Sequence, residues 1–300
     1  MKRDIDNVLL TWKNDPQRRP LLVRGARQVG KSYSITQFGQ KEFTNLTIIN
    51  FEQRPEFKTC FDTLNPKEII GTISLLSKND ITPGKTLLFL DEIQECPKAI
   101  TALRYFYEQM PELHVIAAGS LLEFTLGQEN FKMPVGRIQY LYMKPLSFCE
   151  FLDAAGEHKA RELIENITWE NFPNETIMTG DFIRVNSGAV AEQFTAQELL
   201  AYQDVYRDAS LYYWAREERS SNAEVDYLAP YSGYAFPIEV KAGKTGTLRS
   251  MHLFLEKYPA PVGIRVSQQS FSKNPHVISV PFYGITVIPH LLRDYLAKKE

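Results

Sequence analysis

Hydrophobic and polar positions in the first half of the chain alternate in the order expected for buried strands followed by helices. Apolar runs at Leu21–Val23, Leu87–Leu90 and His114–Ala118 are each followed by polar residues. A helical stretch around 102–109 separates the last two runs. A fully apolar run such as Leu87–Leu90 is typical of a central parallel strand covered on both faces. The pattern predicts an α/β domain built on a parallel sheet.

The second half has a different order of predicted elements. Residues 188–204 have helical spacing, with an apolar stripe of Val190, Phe194, Leu199 and Leu200. Strand-like segments then follow one another, and a short helix is predicted at the C-terminal end. These strand-like segments are 210–218, 223–231, 236–243, 262–266 and 277–280. The order predicts a second, smaller α/β domain.

Composition between the two halves suggests where one domain ends. Residues 170–188 hold a proline, two glycines and several Asn and Thr residues, which is typical of a linker. We therefore predict a first domain at 1–169, a linker at 170–187 and a second domain at 188–300.

Bulk composition restricts the class of protein. The 300 residues are 44% hydrophobic and 23% charged, as in a globular chain with buried cores. The net charge of −2 gives no overall attraction to nucleic acid or to an anionic membrane. No run of about 18 apolar residues and no secretory signal pattern occur, so we predict no membrane span and a cytoplasmic protein. Cys60, Cys96 and Cys149 are far apart and are predicted to be reduced thiols.

A phosphate-binding loop follows the first apolar run. Residues 25–32, Gly-Ala-Arg-Gln-Val-Gly-Lys-Ser, fit the pattern GxxxxGK[ST] in full, the Walker A motif. Its glycines allow the backbone amides of Gly25, Ala26, Arg27, Gln28, Val29 and Gly30 to surround a phosphate, and the following helix directs its positive end toward it. Lys31 is predicted to reach the β- and γ-phosphates of ATP, and Ser32 to bind Mg²⁺.

The acidic partner of this loop comes at the end of the next apolar run. Asp91 follows Leu90 directly, at the strand end where ligands bind in open α/β sheets. Asp91 is predicted to hold Mg²⁺, and Glu92 to polarise the attacking water. The acidic pair is a weak signal alone and becomes strong when it is coupled to the phosphate loop.

Two further residues have alternative interpretations. Ser120 lies just past the strand-like run 114–118, where it either contacts the γ-phosphate or the water, or caps the next helix. Arg137 follows a glycine and either stabilises charge on a phosphate of the same or a neighbouring subunit, or is a surface residue.

These segments together resemble a known family. "RGARQVGKS", "LLFLDEIQ", "AAGSLLEF" and "GRIQYLYMKPLSFCEFL" are similar to the AAA-type ATPases of bacteria and archaea that carry a C-terminal DUF4143 domain. The resemblance implies an AAA+ P-loop ATPase in the first half. It resumes near Gly188, and the helical region that relatives carry in the middle is missing here.

A second group of candidate site residues lies in the strand-like segments of the second half. Glu239 and Lys241 are two residues apart, so they share one face of a strand, and Asp226 lies in the preceding segment. A surface ion pair worth about 0–1 kcal/mol is one explanation. The other is a metal-dependent nuclease centre, because the DUF4143 region is similar to the PD-(D/E)xK nuclease core. That resemblance implies Asp226 and Glu239, with Glu192 from the helix, as ligands of a second Mg²⁺ or Mn²⁺. It implies Lys241 as a catalytic cation.

The sequence thus predicts a Mg²⁺-dependent ATPase that couples hydrolysis to a restriction-endonuclease-like domain, with DNA as a partner and a homo-oligomer formed through the ATPase domain. Two alternatives stay open. One is a nucleotide-dependent interaction module with slow turnover, and the other is a DNA endonuclease with a regulatory ATPase domain.

Overall fold

The computed structural model describes residues 1–120, 136–172, 187–216 and 223–297. The chain divides into two compact units. The first, here called the N-terminal unit, contains residues 2–144 and 204–208, and the C-terminal unit contains residues 145–203 and 209–300.

The N-terminal unit is built on a parallel sheet with the order β2-β3-β4-β1-β5 in the described residues. Its strands are β1 Leu21–Arg24, β2 Asn45–Asn50, β3 Thr86–Asp91, β4 His114–Ala118 and β5 Gln139–Tyr142. The predicted strands at the three apolar runs are confirmed, and the parallel α/β class with them.

Burial on both faces explains why the central residues 87–90 of β3 are all apolar. Leu88 and Leu90 belong to one hydrophobic cluster, and Leu87 and Phe89 belong to another on the opposite face. All four are fully buried. Side chains alternate between the faces of a strand, so a strand covered on both faces favours apolar residues at successive positions.

The α-helices in the described residues of the N-terminal unit are α1 Ile5–Asn14, α2 Lys31–Glu42, α3 Pro66–Ser77 and α4 Pro97–Gln109. Local sequence sets where two of them begin. Pro66 and Pro97 occupy the first turn, where no backbone N–H is needed. The Asn65 side chain accepts a hydrogen bond from the Lys67 amide and caps α3.

A short segment from later in the chain completes this unit. The Tyr142 amide at the end of β5 donates to the Val205 carbonyl at 2.7 Å. Lys144 Nζ donates to the Arg207 carbonyl at 2.6 Å. Residues 204–208 therefore lie beside β5 although both flanking stretches of chain belong to the C-terminal unit.

The C-terminal unit has a mixed sheet with the order β10-β11-β9-β8-β7-β6 in the described residues. Its strands are β6 Tyr212–Ala215, β7 Glu224–Tyr231, β8 Tyr234–Lys241, β9 Gly263–Ser267, β10 Ser272–Lys273 and β11 Val277–Pro281. β6, β7 and β8 are antiparallel neighbours, whereas β8, β9 and β11 run parallel. Ser232 and Gly233 both have positive φ, as a two-residue hairpin turn between β7 and β8 requires.

Where the structure describes the C-terminal unit, its α-helices are α5 Phe148–Ala154, α6 His158–Glu165, α7 Gly188–Ala201, α8 Arg249–Lys257 and α9 Ile288–Ala297. The predicted helix at 188–204 thus exists, and its predicted apolar stripe is correct only in part, since Phe194 and Leu199 pack against the hydrophobic cluster of the C-terminal unit whereas Val190 does not. Val190 is 52% exposed, and the buried positions of α7 are Ala191, Thr195 and Glu198.

Hydrogen bonds explain why a polar face of α7 is buried. Thr195 Oγ1 donates to the Ala191 carbonyl at 2.8 Å within the helix. Glu198 Oε1 accepts from the Phe148 amide at 2.8 Å, at the beginning of α5. Each buried polar group therefore has a partner, a condition that the apolar pattern alone does not reveal.

The division of the chain differs from the predicted boundary at residue 169. Phe148, Cys149 and Leu152 of α5, with Ile164 of α6, lie in the hydrophobic cluster of the C-terminal unit. Because these helices bury their apolar faces there, the boundary falls between Lys144 and Pro145. Most of the predicted linker, residues 173–186, lies outside the described residues.

Two sequence expectations concern the chain as a whole. In the described part of the chain, no helix is long and apolar enough to cross a membrane. The three cysteines are buried and free.

The contact between Glu198 and α5 predicts a pH-dependent stability. Burial raises the pKa of Glu198 to about 7. The folded state therefore binds this proton more tightly than the unfolded state, and stability falls as the pH rises from about 4.5 through about 7. We expect Glu198→Gln to be more stable than the wild type at pH 8 by about 1–3 kcal/mol, and the difference to shrink toward pH 5.

Urea unfolding at both pH values measures this difference. Glu162→Gln, at an exposed position of α6, is the matched control. An equal response of wild type and Glu198→Gln to pH would contradict the assignment.

Candidate functional site

The phosphate loop lies between β1 and α2, and its backbone has conformations that glycine tolerates best. Gly25 has φ +143° and Gly30 has φ +94°. A Cβ atom at Gly25 would collide with the carbonyl oxygen of Met143. Gln28 also has positive φ, at 66°. The loop thus needs glycine at position 25 for both its conformation and its close approach to β5.

Lys31 is buried at the beginning of α2. Its ammonium donates to the carbonyls of Gly25 and Ala26 at 2.9 and 2.8 Å. Burial lowers the pKa of Lys31, and the carboxylates of Glu92 and Asp91 oppose that shift. A buried cation is therefore held inside the loop with two acidic groups within electrostatic range.

Ser32 and Asp91 meet directly. Ser32 Oγ donates to Asp91 Oδ1 at 3.1 Å. The other carboxylate oxygen of Asp91 accepts from Asn50 Nδ2 at 3.1 Å. Asn50 and Asp91 are register partners at the carboxyl ends of β2 and β3. Burial raises the pKa of Asp91, while the hydrogen bonds from Ser32 and Asn50 favour its ionised form.

Glu92 stands in an uncommon backbone conformation one residue beyond β3. Its φ and ψ are 49° and 48°, in the left-handed region that few non-glycine residues adopt. Gln94 Nε2 donates to Glu92 Oε2 at 2.6 Å. Strained backbone of this kind concentrates at functional sites, so the conformation marks Glu92 as a functional candidate.

Lys31, Ser32 and Glu92 line one cleft of about 450 Å³. The lining side chains and backbone groups come from the loop, from α2 and from the ends of the strands. They are Arg27, Gln28, Gly30, Lys31, Ser32, Tyr33, Glu52, Glu92, Gln94, Glu95 and Ser120. A cleft of this size, with backbone amides and convergent polar groups, is large enough for a nucleotide-sized ligand.

The sequence-predicted residues differ in where the structure places them. Lys31, Ser32, Glu92 and Ser120 line the cleft, and Asp91 is bonded to Ser32. Arg137 does not line it. Arg137 is 45% exposed and pairs with Glu108 of α4 at 2.9 Å.

Two residues of this region were missed by sequence reasoning. Asn50 donates a hydrogen bond to Asp91. The sequence feature that could have identified Asn50 is its position as the polar last residue of β2, the strand paired with β3. Arg3 is 6% exposed and donates to the carbonyl of Val29 in the loop at 2.9 Å. No local motif identifies Arg3, because Arg3 and Val29 are far apart in the sequence and only the fold brings them into contact.

The second group of candidate site residues, Asp226, Glu239 and Lys241, lies on β7 and β8 of the C-terminal unit. Lys241 Nζ donates to Glu239 Oε1 at 2.8 Å. Glu239 Oε2 is buried and has no hydrogen-bond partner among the described residues. The Asp226 carboxylate accepts from the Val240 amide at 2.7 Å. Burial raises the pKa of both Asp226 and Glu239.

The predicted set of three metal ligands does not converge. Within residues 1–120, 136–172, 187–216 and 223–297, no group of three His, Cys, Asp or Glu side chains is placed to hold a metal ion. Glu192 is exposed on α7, although the charge of Asp226 contributes to raising its pKa after the larger effect of burial. Asp226 and Glu239 are each turned toward other partners, the Val240 amide and the Lys241 ammonium.

Comparison with protein families gives two matches along the chain. Residues 17–152 match the model of an AAA domain. Residues 187–283 match the model of DUF4143, a domain of unknown function. No curated protein matches the chain.

Among the solved structures that match the chain, two show low similarity in both sequence and fold. One is a structure of C. elegans PCH-2, with a TM-score of 0.31 and 12% identity, covering 66% of this chain and 57% of that one. The other is the Pif1 helicase from Bacteroides in complex with ADP-AlF3 and ssDNA. It has a TM-score of 0.31 and 13% identity, and it covers 77% of this chain and 64% of its own. The chain thus spans less than two thirds of either structure's length.

Gly25 and Gly71 form a matched pair for testing the loop geometry. We expect Gly25→Ala to lower the free energy of unfolding by about 2–4 kcal/mol, because its φ and its contact with Met143 both exclude a Cβ. Gly71 lies in α3 with open space around it. Gly71→Ala should stabilise by about 0.5–1 kcal/mol.

Urea unfolding compares the two variants with the wild type. A Gly25→Ala variant as stable as the wild type would show that the loop does not depend on this glycine.

Proposed function

We propose that this chain, an AAA-type protein with a C-terminal DUF4143 domain, binds ATP with Mg²⁺ in the cleft lined by the phosphate loop and hydrolyses it. The contact of Ser32 with Asp91 is the observation that carries the proposal. It joins the residue after the loop lysine to the acid ending β3, and these are the two groups that a nucleotide-bound Mg²⁺ needs in P-loop enzymes.

The donor set fits Mg²⁺. Ser32 supplies a hydroxyl and Asp91 a carboxylate, and hard oxygen donors are what this ion prefers. Asn50 holds the second oxygen of Asp91 and so orients the carboxylate. Bound there, Mg²⁺ would neutralise charge on the phosphates during hydrolysis.

The loop residues provide the phosphate site. Amides of residues 25–32 and the amino end of α2 favour an anion, and Lys31 adds a full positive charge. Lys31 now donates to the carbonyls of Gly25 and Ala26. A phosphate in the loop would compete with these two carbonyls for the ammonium group.

Glu92 is the residue that we assign to water activation. Its carboxylate lines the cleft, one residue after Asp91, and Gln94 holds one of its oxygens. A carboxylate fixed in this way can orient a water molecule and accept its proton. Ser120 lines the same cleft and is a further polar contact for the phosphate or the water.

Arg137 cannot be assigned to the cleft of its own chain, since it pairs with Glu108 on the surface. A catalytic role for Arg137 therefore requires a second copy of the chain, in which the arginine reaches a neighbouring nucleotide. Such a role would need a homo-oligomer formed through the N-terminal unit.

A nuclease-like C-terminal domain that acts on DNA is the second candidate function. The order α7, β6, β7, β8, α8, β9, with β6–β8 antiparallel and β9 parallel to β8, supports a restriction-endonuclease-like core. Glu239 Oε2 is buried without a hydrogen-bond partner among the described residues, and the charge of Asp226 acts on the same carboxylate, so a cation held by both would satisfy the orphan oxygen. Two carboxylates can suffice for Mg²⁺, which often keeps several waters.

Substitutions in the cleft test ATP hydrolysis. We expect Lys31→Ala to abolish saturable binding of labelled ATP, because the buried cation that faces the phosphates is lost. Glu92→Gln should keep ATP affinity and lower steady-state phosphate release at least about a hundredfold, the usual range for a positioned acid or base.

Glu112→Gln, an exposed residue after α4, is the control for the change of carboxylate to amide. The same assay distinguishes an ATPase from an interaction module. Saturable binding with equally slow phosphate release in wild type and Glu92→Gln would favour the module over the enzyme.

Plasmid cleavage tests the second candidate. Supercoiled plasmid incubated with the protein and Mg²⁺ or Mn²⁺ should be nicked or linearised. Asp226→Asn and Lys241→Ala should reduce the rate at least about tenfold to a hundredfold, as loss of a group that binds or orients a metal does. Glu256→Gln, exposed on α8, is the control. Absence of cleavage with either metal would remove this candidate.

A further inference from the structure

We propose that Arg3 and Lys144 are positioning residues of the nucleotide site, which tie the phosphate loop to residues 204–208 and thereby transmit nucleotide binding to the chain of the DUF4143 half. The inference rests on the proposed binding of ATP in the loop.

Arg3 bridges two segments that are far apart in sequence. One guanidinium nitrogen donates to the Val29 carbonyl of the loop at 2.9 Å, and the other donates to the Lys144 carbonyl at 3.1 Å. Arg3 is 6% exposed, so these bonds lie in a region with little competing water. The planar guanidinium fixes the direction of both bonds at once.

A second contact joins the loop to the same segment. The amide of Met143 donates to the Arg24 carbonyl at 2.8 Å, and the Met143 carbonyl lies against the Cα of Gly25. The loop is therefore held at its beginning by Met143 and near its end by Arg3. Movement of Gly25 or of the Val29 carbonyl therefore changes at least one of these contacts.

Lys144 connects Arg3 to residues 204–208. Its side chain is buried, with 7% of the residue exposed, and its ammonium donates to the Arg207 carbonyl at 2.6 Å. Beside it, the Tyr142 amide donates to the Val205 carbonyl. Desolvation of the Lys144 ammonium makes this hydrogen bond costly to lose.

The position of residues 204–208 in the sequence explains how these contacts can affect the C-terminal unit. Residues 204–208 follow α7 and precede β6, both of which belong to the C-terminal unit. A phosphate that fixes the loop also fixes the Val29 carbonyl, Arg3, Lys144 and then the segment 204–208. By linkage, a segment held more firmly must also favour nucleotide binding.

Hydrogen exchange of the Tyr142 amide reports the last contact directly. In the wild-type chain, saturating ATP with Mg²⁺ should slow this exchange by about tenfold, within the range usual for coupling between sites. Lys144→Met keeps the backbone carbonyl that Arg3 uses but removes the bond to Arg207. In this variant, the effect of ATP on Tyr142 exchange should fall to about twofold or less, the level expected of uncoupled groups.

Titration with labelled ATP tests Arg3. Arg3→Ala should weaken binding about tenfold. Arg3→Lys keeps the charge but loses the paired geometry, so its affinity should lie between the two. Lys2→Ala, an exposed neighbour with the same change of charge, should bind as the wild type does.

Failure of the two proposals can be told apart. Absence of ATP binding by the wild-type chain would overturn the proposed function and this inference with it. Saturable binding with an unchanged Tyr142 exchange rate, or an Arg3→Ala affinity equal to that of Lys2→Ala, would overturn the inference alone. The exchange measurement uses the wild-type chain alone, so it tests the inference even if Arg3→Ala does not fold.

Discussion

Two buried charges beside the carboxyl ends of β1 and β3 constrain how the strands and α2 of the N-terminal unit fit together. Lys31 is 8% exposed and Asp91 is 7% exposed. Charged groups out of water must be paired or hydrogen-bonded, or they lose their charge. Here the loop carbonyls hold Lys31, while Ser32 and Asn50 hold Asp91. β1, β2, β3 and α2 must therefore keep their relative positions for these bonds to form.

The same constraint explains why so much of this site could be predicted from sequence. Glycine at positions 25 and 30, the lysine, the serine and the acid after an apolar run are all forced by local chemistry. The spacing of the loop fixes which residues can face a phosphate, and the apolar strand fixes where the acid emerges. Asn50 was missed because the register of β2 with β3 is a property of the sheet, which no local pattern specifies.

Sequence reasoning was weaker where polar residues are buried by contacts distant in the chain. Glu198 and Thr195 face the core of the C-terminal unit, and a periodicity argument placed Val190 there instead. The predicted boundary at residue 169 differs from the division between Lys144 and Pro145 for a related reason. α5 and α6 have apolar faces that either unit could bury, and only the fold decides that Phe148 and Ile164 join the C-terminal cluster.

The two polar centres differ in how their charges are satisfied, and this difference bears on what each can do. In the cleft, the charged groups border an open volume, so a ligand can replace the bonds that they now make. On β8, Glu239 already has an ammonium partner at 2.8 Å and a second oxygen with none among the described residues. A cation there must compete with Lys241 but would also satisfy the orphan oxygen. Burial of one carboxylate with an incomplete set of partners is costly for stability alone. Packing around β8 therefore leaves one buried oxygen unsatisfied within the described residues, whereas the buried charges Lys31 and Asp91 of the N-terminal unit are both hydrogen-bonded.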